Sequence, residues 1–313
     1  MPLDTGDTSF MLVATALVMI MTPGLAFFYG GLVSRKNVLA IMMQSYVSMG
    51  VSTILWVAVG YSLCFSGDVG GMGIIGNLDM AFLRGIEVTD LGGLNDTIPL
   101  LLFVVYQIMF AIITPALITG AMVGRIRFKS FLIFIVLWST IVYSPLAHWV
   151  WGGGWLGDLS VLGIKGLTGS TMDFAGGTVV HISSGVSALA AALVLGRRTN
   201  YGRDPEAPHN IPFVVLGASI LWFGWFGFNA GSGLAADGTA VNAFMVTNTA
   251  AAMAALTWVL LGYGTTGKAS AVGAASGAVA GLVAITPAAG SVGAMGALGI
   301  GFGGAVALGD NVL

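Results

Sequence analysis

The fold class predicted by this sequence is an all-α polytopic membrane protein, and three observations predict it. Of the 313 residues, 57% are hydrophobic and only 8% are charged, far from the usual make-up of soluble domains. Apolar runs of roughly 20 residues, each long enough to cross a ~30 Å hydrocarbon core, recur from one end of the chain to the other. No soluble-domain-sized stretch interrupts them, so residues 1–313 are expected to form a single integral membrane domain.

Reading apolar runs between polar breaks predicts nine spans. The first, Ser9–Val33, has Asp4 and Asp7 before it and Arg35 and Lys36 after it. That is the reverse of a signal peptide's basic start, so the span is expected to be retained with the N-terminus outside. The second, Val38–Phe65, follows the basic pair and ends near Cys64, the single cysteine. With no partner it builds neither a disulfide nor a thiolate metal site, and no metal or other cofactor is expected. The third and fourth, Ile98–Met122 and Ser130–Ala147, bracket Arg125, Arg127 and Lys129. The fifth, Asp173–Leu195, opens on an aspartate suited to capping a helix start and runs into Arg197, Arg198 and Arg203. Ile211–Leu234 and Ala240–Gly264 are the sixth and seventh, Lys268 precedes the eighth at Ala269–Ala288, and Val292–Leu308 is the ninth. All the basic residues named so far fall on one side, while Arg84 and Lys165 fall on the other. The first side is therefore expected to be cytoplasmic, and the expected location is the lipid bilayer of the cell (plasma or inner) membrane. Basic residues scattered over short loops also exclude nucleic acid as a partner.

Two motifs invite over-reading. Gly71-Met72-Gly73-Ile74-Ile75-Gly76 matches GxGxxG, but no βαβ unit surrounds it, so it is not read as a nucleotide site. Asn95-Asp96-Thr97 is a formal glycosylation sequon with no further support. An enzyme is not expected either: HExxH, GxSxG and a pair of buried carboxylates are all lacking.

The informative residue is His181, inside the greasy fifth span. Eight residues of α-helix from Asp173 put it about 12 Å into the membrane, near the midplane. An ionisable group there either lines a pathway or satisfies an interhelical hydrogen bond, and the pathway is the favoured reading. Burial disfavours the imidazolium, so a neutral ring with one donor and one acceptor is expected, suited to small neutral polar molecules.

The flanking segments carry more. "TPGLAFFYGGLVSRKN" (Thr22–Asn37), "AHWVWGGGWLG" (Ala147–Gly157), "DFAGGTVVHISSG" (Asp173–Gly185), "LWFGWFGFNAGS" (Leu221–Ser232) and "GAVAGLVAITPAAG" (Gly277–Gly290) closely resemble the Amt/Rh ammonium transporters, in the family's order. The resemblance implies an Amt/Rh-type helical bundle with inverted-repeat topology, assembled as a homotrimer, in which each chain recruits ammonium outside and moves ammonium or ammonia through a narrow apolar pore. Trp151, Ser232 and Phe110 match the exterior recruitment site. An indole face attracts a desolvating cation and a hydroxyl oxygen accepts from it. Without the motif, Trp151 would read as an interfacial belt residue. Phe110 and Phe228 match a pair of gating rings, and His181, Trp225 and Tyr106 match pore-lining positions. Asp173 matches a carboxylate near the entrance with a structural and electrostatic role.

The sequence also departs from the family. A second pore histidine, contributed by the family's tenth span, has no counterpart here, because the chain closes at "GGAVALGDNVL" after about nine spans where the family has eleven. The remaining histidines, His148 and His209, lie near helix ends or in a loop. Gly124 stands where the family has an acidic residue, and the exterior loop Asp158–Met172 is longer than usual. The expected function is an ammonium/ammonia transporter or channel. The alternative is an ammonium-binding sensor-like protein or a non-conducting subunit, and a cytoplasmic regulatory protein is a candidate partner.

Overall fold

A computed structural model describes residues 3–157, 171–198, 201–202 and 207–309. The described residues fold almost wholly into helices: α1 (Thr5–Leu32), α2 (Val38–Leu55), α3 (Tyr61–Phe65), α4 (Leu100–Met122), α5 (Phe128–Trp138), α6 (Ser144–Val150), α7 (Ser183–Leu195), α8 (Ile211–Ala230), α9 (Gly238–Thr266), α10 (Ala271–Ile285) and α11 (Ala294–Gly309). Three π-helical turns join some of these into longer rods. Trp56–Gly60 links α2 to α3, Ser139–Tyr143 links α5 to α6, and Gly177–Ile182 leads into α7. Counted as continuous rods, eight are long and apolar enough to cross a membrane, and Ala294–Leu308 is a shorter apolar ninth.

These helices carry apolar residues on every side, because the inner face packs against protein while the outer face meets lipid. Outward-facing residues such as Leu39, Ile54, Ile141, Leu193, Leu256 and Leu260 are exposed, whereas Met11, Met21, Phe103, Phe110 and Phe228 are fully or almost fully buried. Where lipid and side chains are equally apolar, close backbone approach replaces the hydrophobic effect as the means of packing. The α1–α8 crossing is the fullest case, with small residues on both helices. A Cβ on Gly24 would lie 2.7 Å from the Ile220 side chain, and one on Gly227 would lie 2.6 Å from the Ala14 carbonyl oxygen. α9 meets α10 and α11 in the same manner: Cβ atoms on Gly281 and Gly301 would each come within 2.4 Å of the Ala250 carbonyl oxygen.

The basic residues Arg35, Lys36, Arg125, Arg127, Lys129, Arg197, Arg198 and Lys268 fall at or beside turns on one end of the alternating rods, with Arg84 in a loop at the other. Lys165, Arg203 and most of the long loop Asp158–Met172 lie outside the described residues. Arg198 donates to the carbonyls of Gly120 and Val123, and Arg125 to those of Ala121 and Gly196, so the two arginines tie the ends of α4 and α7 together. Gly124 follows the end of α4 with φ +74°, a left-handed conformation that a glutamate would adopt only with strain.

Candidate functional site

The site begins at the lead into α7. Asp173 is buried and its carboxylate accepts three backbone N–H bonds: Gly176 to Oδ1 at 2.8 Å, Thr178 and Val179 to Oδ2 at 2.8 and 2.9 Å. Burial, the largest influence, holds this carboxyl above the ordinary carboxylate range, with the amides of Val179, Thr178, Gly176 and Gly177 pulling the other way. The backbone oxygen of Asp173 accepts from the Trp151 indole N–H at 2.9 Å, so one residue fixes both the helix start and the tryptophan. The arrangement corrects one expectation. Helix begins at Gly177, not at Asp173, because Gly176 takes a left-handed φ of +106° and breaks the run. Only four residues of helix therefore precede His181, and the depth inferred from eight residues of α-helical rise does not hold.

The aromatic side chains form a connected stack. Phe110 meets Trp151 edge-on, with centroids 5.9 Å apart, and lies 4.5 Å from Phe228. Phe228 then lies 5.4 Å from Trp225 and 5.8 Å from the His181 ring, which stacks on Trp225 at 5.4 Å. Tyr106 sits one helical turn from Phe110 with ring centroids 5.0 Å apart. Its hydroxyl lies 2.9 Å from the Gly227 carbonyl oxygen, 3.0 Å from that of Phe228 and 3.3 Å from Ser232 Oγ. Ser232 donates to the Phe228 carbonyl at 2.8 Å, which leaves its oxygen free to accept.

Below the phenyl pair lies a cavity of about 140 Å³, whose walls include Met21, Leu25, Leu221, Trp225, Phe228 and His181. His181 Nε2 is buried and has no hydrogen-bond partner among the described residues. The structure thus brings Trp151, Phe110, Phe228, Trp225, His181 and Tyr106 into ring contact, with Ser232 reached through Tyr106 and Asp173 through Trp151.

Sequence reasoning missed four supporting residues. Thr286 accepts the Trp225 indole N–H at 2.9 Å, and the neighbouring Pro287 carbonyl accepts the Phe174 N–H at 3.0 Å. Both lie in the quoted "ITPAAG" segment, which was the available signal. Tyr29 lines the cavity and donates to the Leu117 carbonyl at 3.0 Å. His148, read only as a helix-end residue, is 1% exposed and sits between the Cys64 carbonyl at 2.9 Å and Asp68 Oδ1 at 3.2 Å. It joins the loop that carries the GxGxxG match to the helix that ends at Trp151, and Trp149 adds a bond from its indole N–H to the Ile74 carbonyl at 2.6 Å. Burial tends to raise the Asp68 carboxyl, but the Gly73 amide, the His148 ring and the Ile75 amide outweigh it and hold the carboxyl below the ordinary carboxylate value.

A bundle of long apolar helices with lipid-ready outer faces defines a multi-pass membrane protein, and the comparisons with known proteins make its class that of transporters. The chain belongs to the ammonium transporter family: the model of the Ammonium Transporter Family matches residues 9–309. It is 50% identical over 290 residues to an ammonium transporter of Bacillus subtilis, covering 93% of this chain and 68% of that protein. It is 46% identical over 299 residues to ammonium transporter Amt1 of Archaeoglobus fulgidus, covering 96% of this chain and 71% of that one. The crystal structure of Saccharomyces cerevisiae Mep2 superposes with a TM-score of 0.89 at 39% identity, covering 99% of this chain and 69% of that chain. The chain therefore spans about seven tenths of the length of these relatives.

Proposed function

We propose that the chain takes ammonium from the exterior at an aromatic recruitment site of Trp151, Ser232 and Phe110. It then passes the molecule inward through a narrow apolar path gated by Phe110 and Phe228 and lined by His181, Trp225 and Tyr106. The observation that carries this reading is the buried, unpartnered His181 Nε2 on the wall of an otherwise largely apolar cavity beneath the phenyl pair.

Ammonium brings four N–H donors and a full charge. At the rim a half-buried indole face is worth about 1–2 kcal/mol, and the Ser232 oxygen accepts one donor. Past the phenyl rings the surroundings are apolar, where a bare cation suffers a large loss of hydration. Neutral ammonia is the species this path favours, and an imidazole nitrogen gives it a hydrogen-bond partner there. The chain acts as a single membrane domain in a homotrimer, in the plasma or inner membrane with its N-terminus outside, and a cytoplasmic regulatory protein is a candidate partner.

Uptake of ammonium into vesicles bearing the purified chain tests this reading. Saturable flux that falls at least tenfold in His181→Ala is expected, and one charge moved per ammonium taken up would overturn passage as the neutral molecule. A second reading, an ammonium-binding sensor-like protein or a non-conducting subunit, is favoured by the same unpartnered nitrogen, since a ring that bonds to no second group can hold a molecule without relaying it. Binding without flux would establish that reading instead.

A further inference from the structure

Away from the His181 path, two of the π-turns line a second and much smaller cavity. It measures about 10 Å³ and is walled by Ser52, by Trp56 and Gly60 of one turn, by Ser139 and Tyr143 of the other, and by Ala111 of α4. None of its wall residues belongs to the larger cavity. A π-turn carries one extra residue in the helical ladder, and such turns are often found at functional sites.

Four buried polar atoms on this wall make no hydrogen bond among the described residues: Ser52 Oγ, Trp56 Nε1, Ser139 Oγ and Tyr143 Oη. The side chains that bear them are between 1% and 6% exposed. Thr114 stands near Tyr143, and with its own proton on the Phe110 carbonyl at 2.5 Å its oxygen can accept from the Tyr143 hydroxyl, whose oxygen stays open to a donor. Pro115 adds a backbone group to the account. It lies inside α4, four residues after Ala111, and it has no N–H to give the Ala111 carbonyl. Buried polar groups in proteins are almost always paired, so such a cluster of orphans around one cavity calls for a shared partner.

We infer that this cavity is a binding site for one structural water molecule, held by Trp56, Ser139, Tyr143 and Ser52 and joining the second span to the fourth. Size and polarity both select water. About 10 Å³ of room for a water's centre corresponds to roughly one such molecule, and the site offers the two to four polar partners that a buried water requires. The indole N–H only donates, so the occupant must accept. Ammonium has four donors and no lone pair, so it cannot answer Trp56. Ammonia could also close four bonds, its lone pair with the indole and its three N–H groups with the three hydroxyls, but unlike water it is present only where ammonium is supplied. Water accepts twice and donates twice, and so it closes one bond to each of the four atoms. The fourth span continues through this turn into α6 and Trp151, so the water stiffens the rod that presents the exterior tryptophan.

The test is a high-resolution structure of the detergent-purified 313-residue chain, solved with and without ammonium chloride, paired with NMR of the indole-labelled protein. One density peak about 3 Å from Trp56 Nε1 in both structures is expected, together with a cross-peak between the Trp56 indole proton and long-lived water. A cavity whose four side chains pair with one another or with backbone, leaving no such peak, overturns the inference, as does a peak that appears only with ammonium. Ser139→Val places a methyl group in the cavity and removes a hydroxyl, so it should abolish the density and the cross-peak together. Persistence of either in that variant also overturns it, and the unmodified chain decides the matter if the variant does not fold.

Discussion

Replacing Trp151 with leucine removes the indole face of the proposed recruitment site while keeping an apolar side chain there. The indole is half-buried, so its attraction for a cation lies between the exposed and the desolvated limits, about 1–2 kcal/mol. At 1.4 kcal/mol per tenfold change, ammonium binding should weaken roughly 5- to 30-fold. The substitution also removes the N–H donated to the Asp173 carbonyl at 2.9 Å, a bond worth about 1 kcal/mol of folding stability. Trp151→Phe separates the two effects, because it keeps an aromatic face and loses the same N–H. Titration calorimetry with ammonium chloride, beside thermal unfolding in the same detergent, reads both quantities. The phenylalanine variant should recover most of the affinity while sharing the stability loss. If Trp151→Leu binds ammonium within twofold of the parent, the indole is not a cation face and the recruitment site lies elsewhere.

Phe228→Ala empties a fully buried position between the rim and the 140 Å³ cavity. It should cost about 3–5 kcal/mol of stability by chemical denaturation, and admit larger alkylamines in a vesicle uptake assay; unchanged size selectivity would remove Phe228 from the gate. Asp173→Asn keeps one acceptor oxygen but turns an NH₂ toward amide donors, costing about 1–3 kcal/mol or more. It should loosen both α7's start and Trp151, read by hydrogen exchange across residues 171–182, and undisturbed exchange there would count against the anchor role. The Asp68 carboxyl titrates lower in the folded protein than in the unfolded chain, so its contribution is present above the ordinary aspartate range and lost as pH falls through its depressed value. Exchange protection of residues 67–77 should accordingly collapse in acid, and Asp68→Asn should flatten that dependence; protection that fails on the alkaline side instead would refute the assignment.

The helical architecture was legible because span length and sparse charge leave a membrane protein few alternatives. His181 was legible from its place in an apolar span, but the candidate aromatic residues were legible only through the resemblance, since Phe110, Phe228 and Trp225 differ in no intrinsic way from the core aromatics around them. What stayed hidden were the departures from α-helical rise. Local sequence does not announce that Gly176 turns left-handed, that the run from Gly177 is a π-turn, or that Asp173 reaches across three amides. Each is settled by tertiary partners: a Cβ on Gly177 would lie 2.5 Å from Pro287, so the segment is shaped by a turn more than one hundred residues away. His148 was hidden for a related reason, because its carboxylate partner Asp68 lies 80 positions earlier in the chain.

Those long-range partners also bear on how the candidate site would work. The Thr286–Pro287 turn receives the Trp225 indole through its hydroxyl and the Phe174 amide through its carbonyl. Asp173, next to Phe174, receives the Trp151 indole in turn. Rim and interior aromatics therefore hang on one short chain of hydrogen bonds that crosses from the fourth span through the fifth and eighth to the sixth. Shifting Trp151 alone would break a bond to a buried carbonyl, and shifting Trp225 alone would strand a buried indole N–H. Close glycine contacts between α1 and α8 hold the helix that carries Trp225 and Phe228 against the same movement. With the backbone fixed in this way, the softest remaining coordinates are the side-chain torsions of Phe110 and Phe228. If Phe110 and Phe228 gate the path as proposed, its opening would be a matter of two rings turning within a preorganised frame, with the spans left in place.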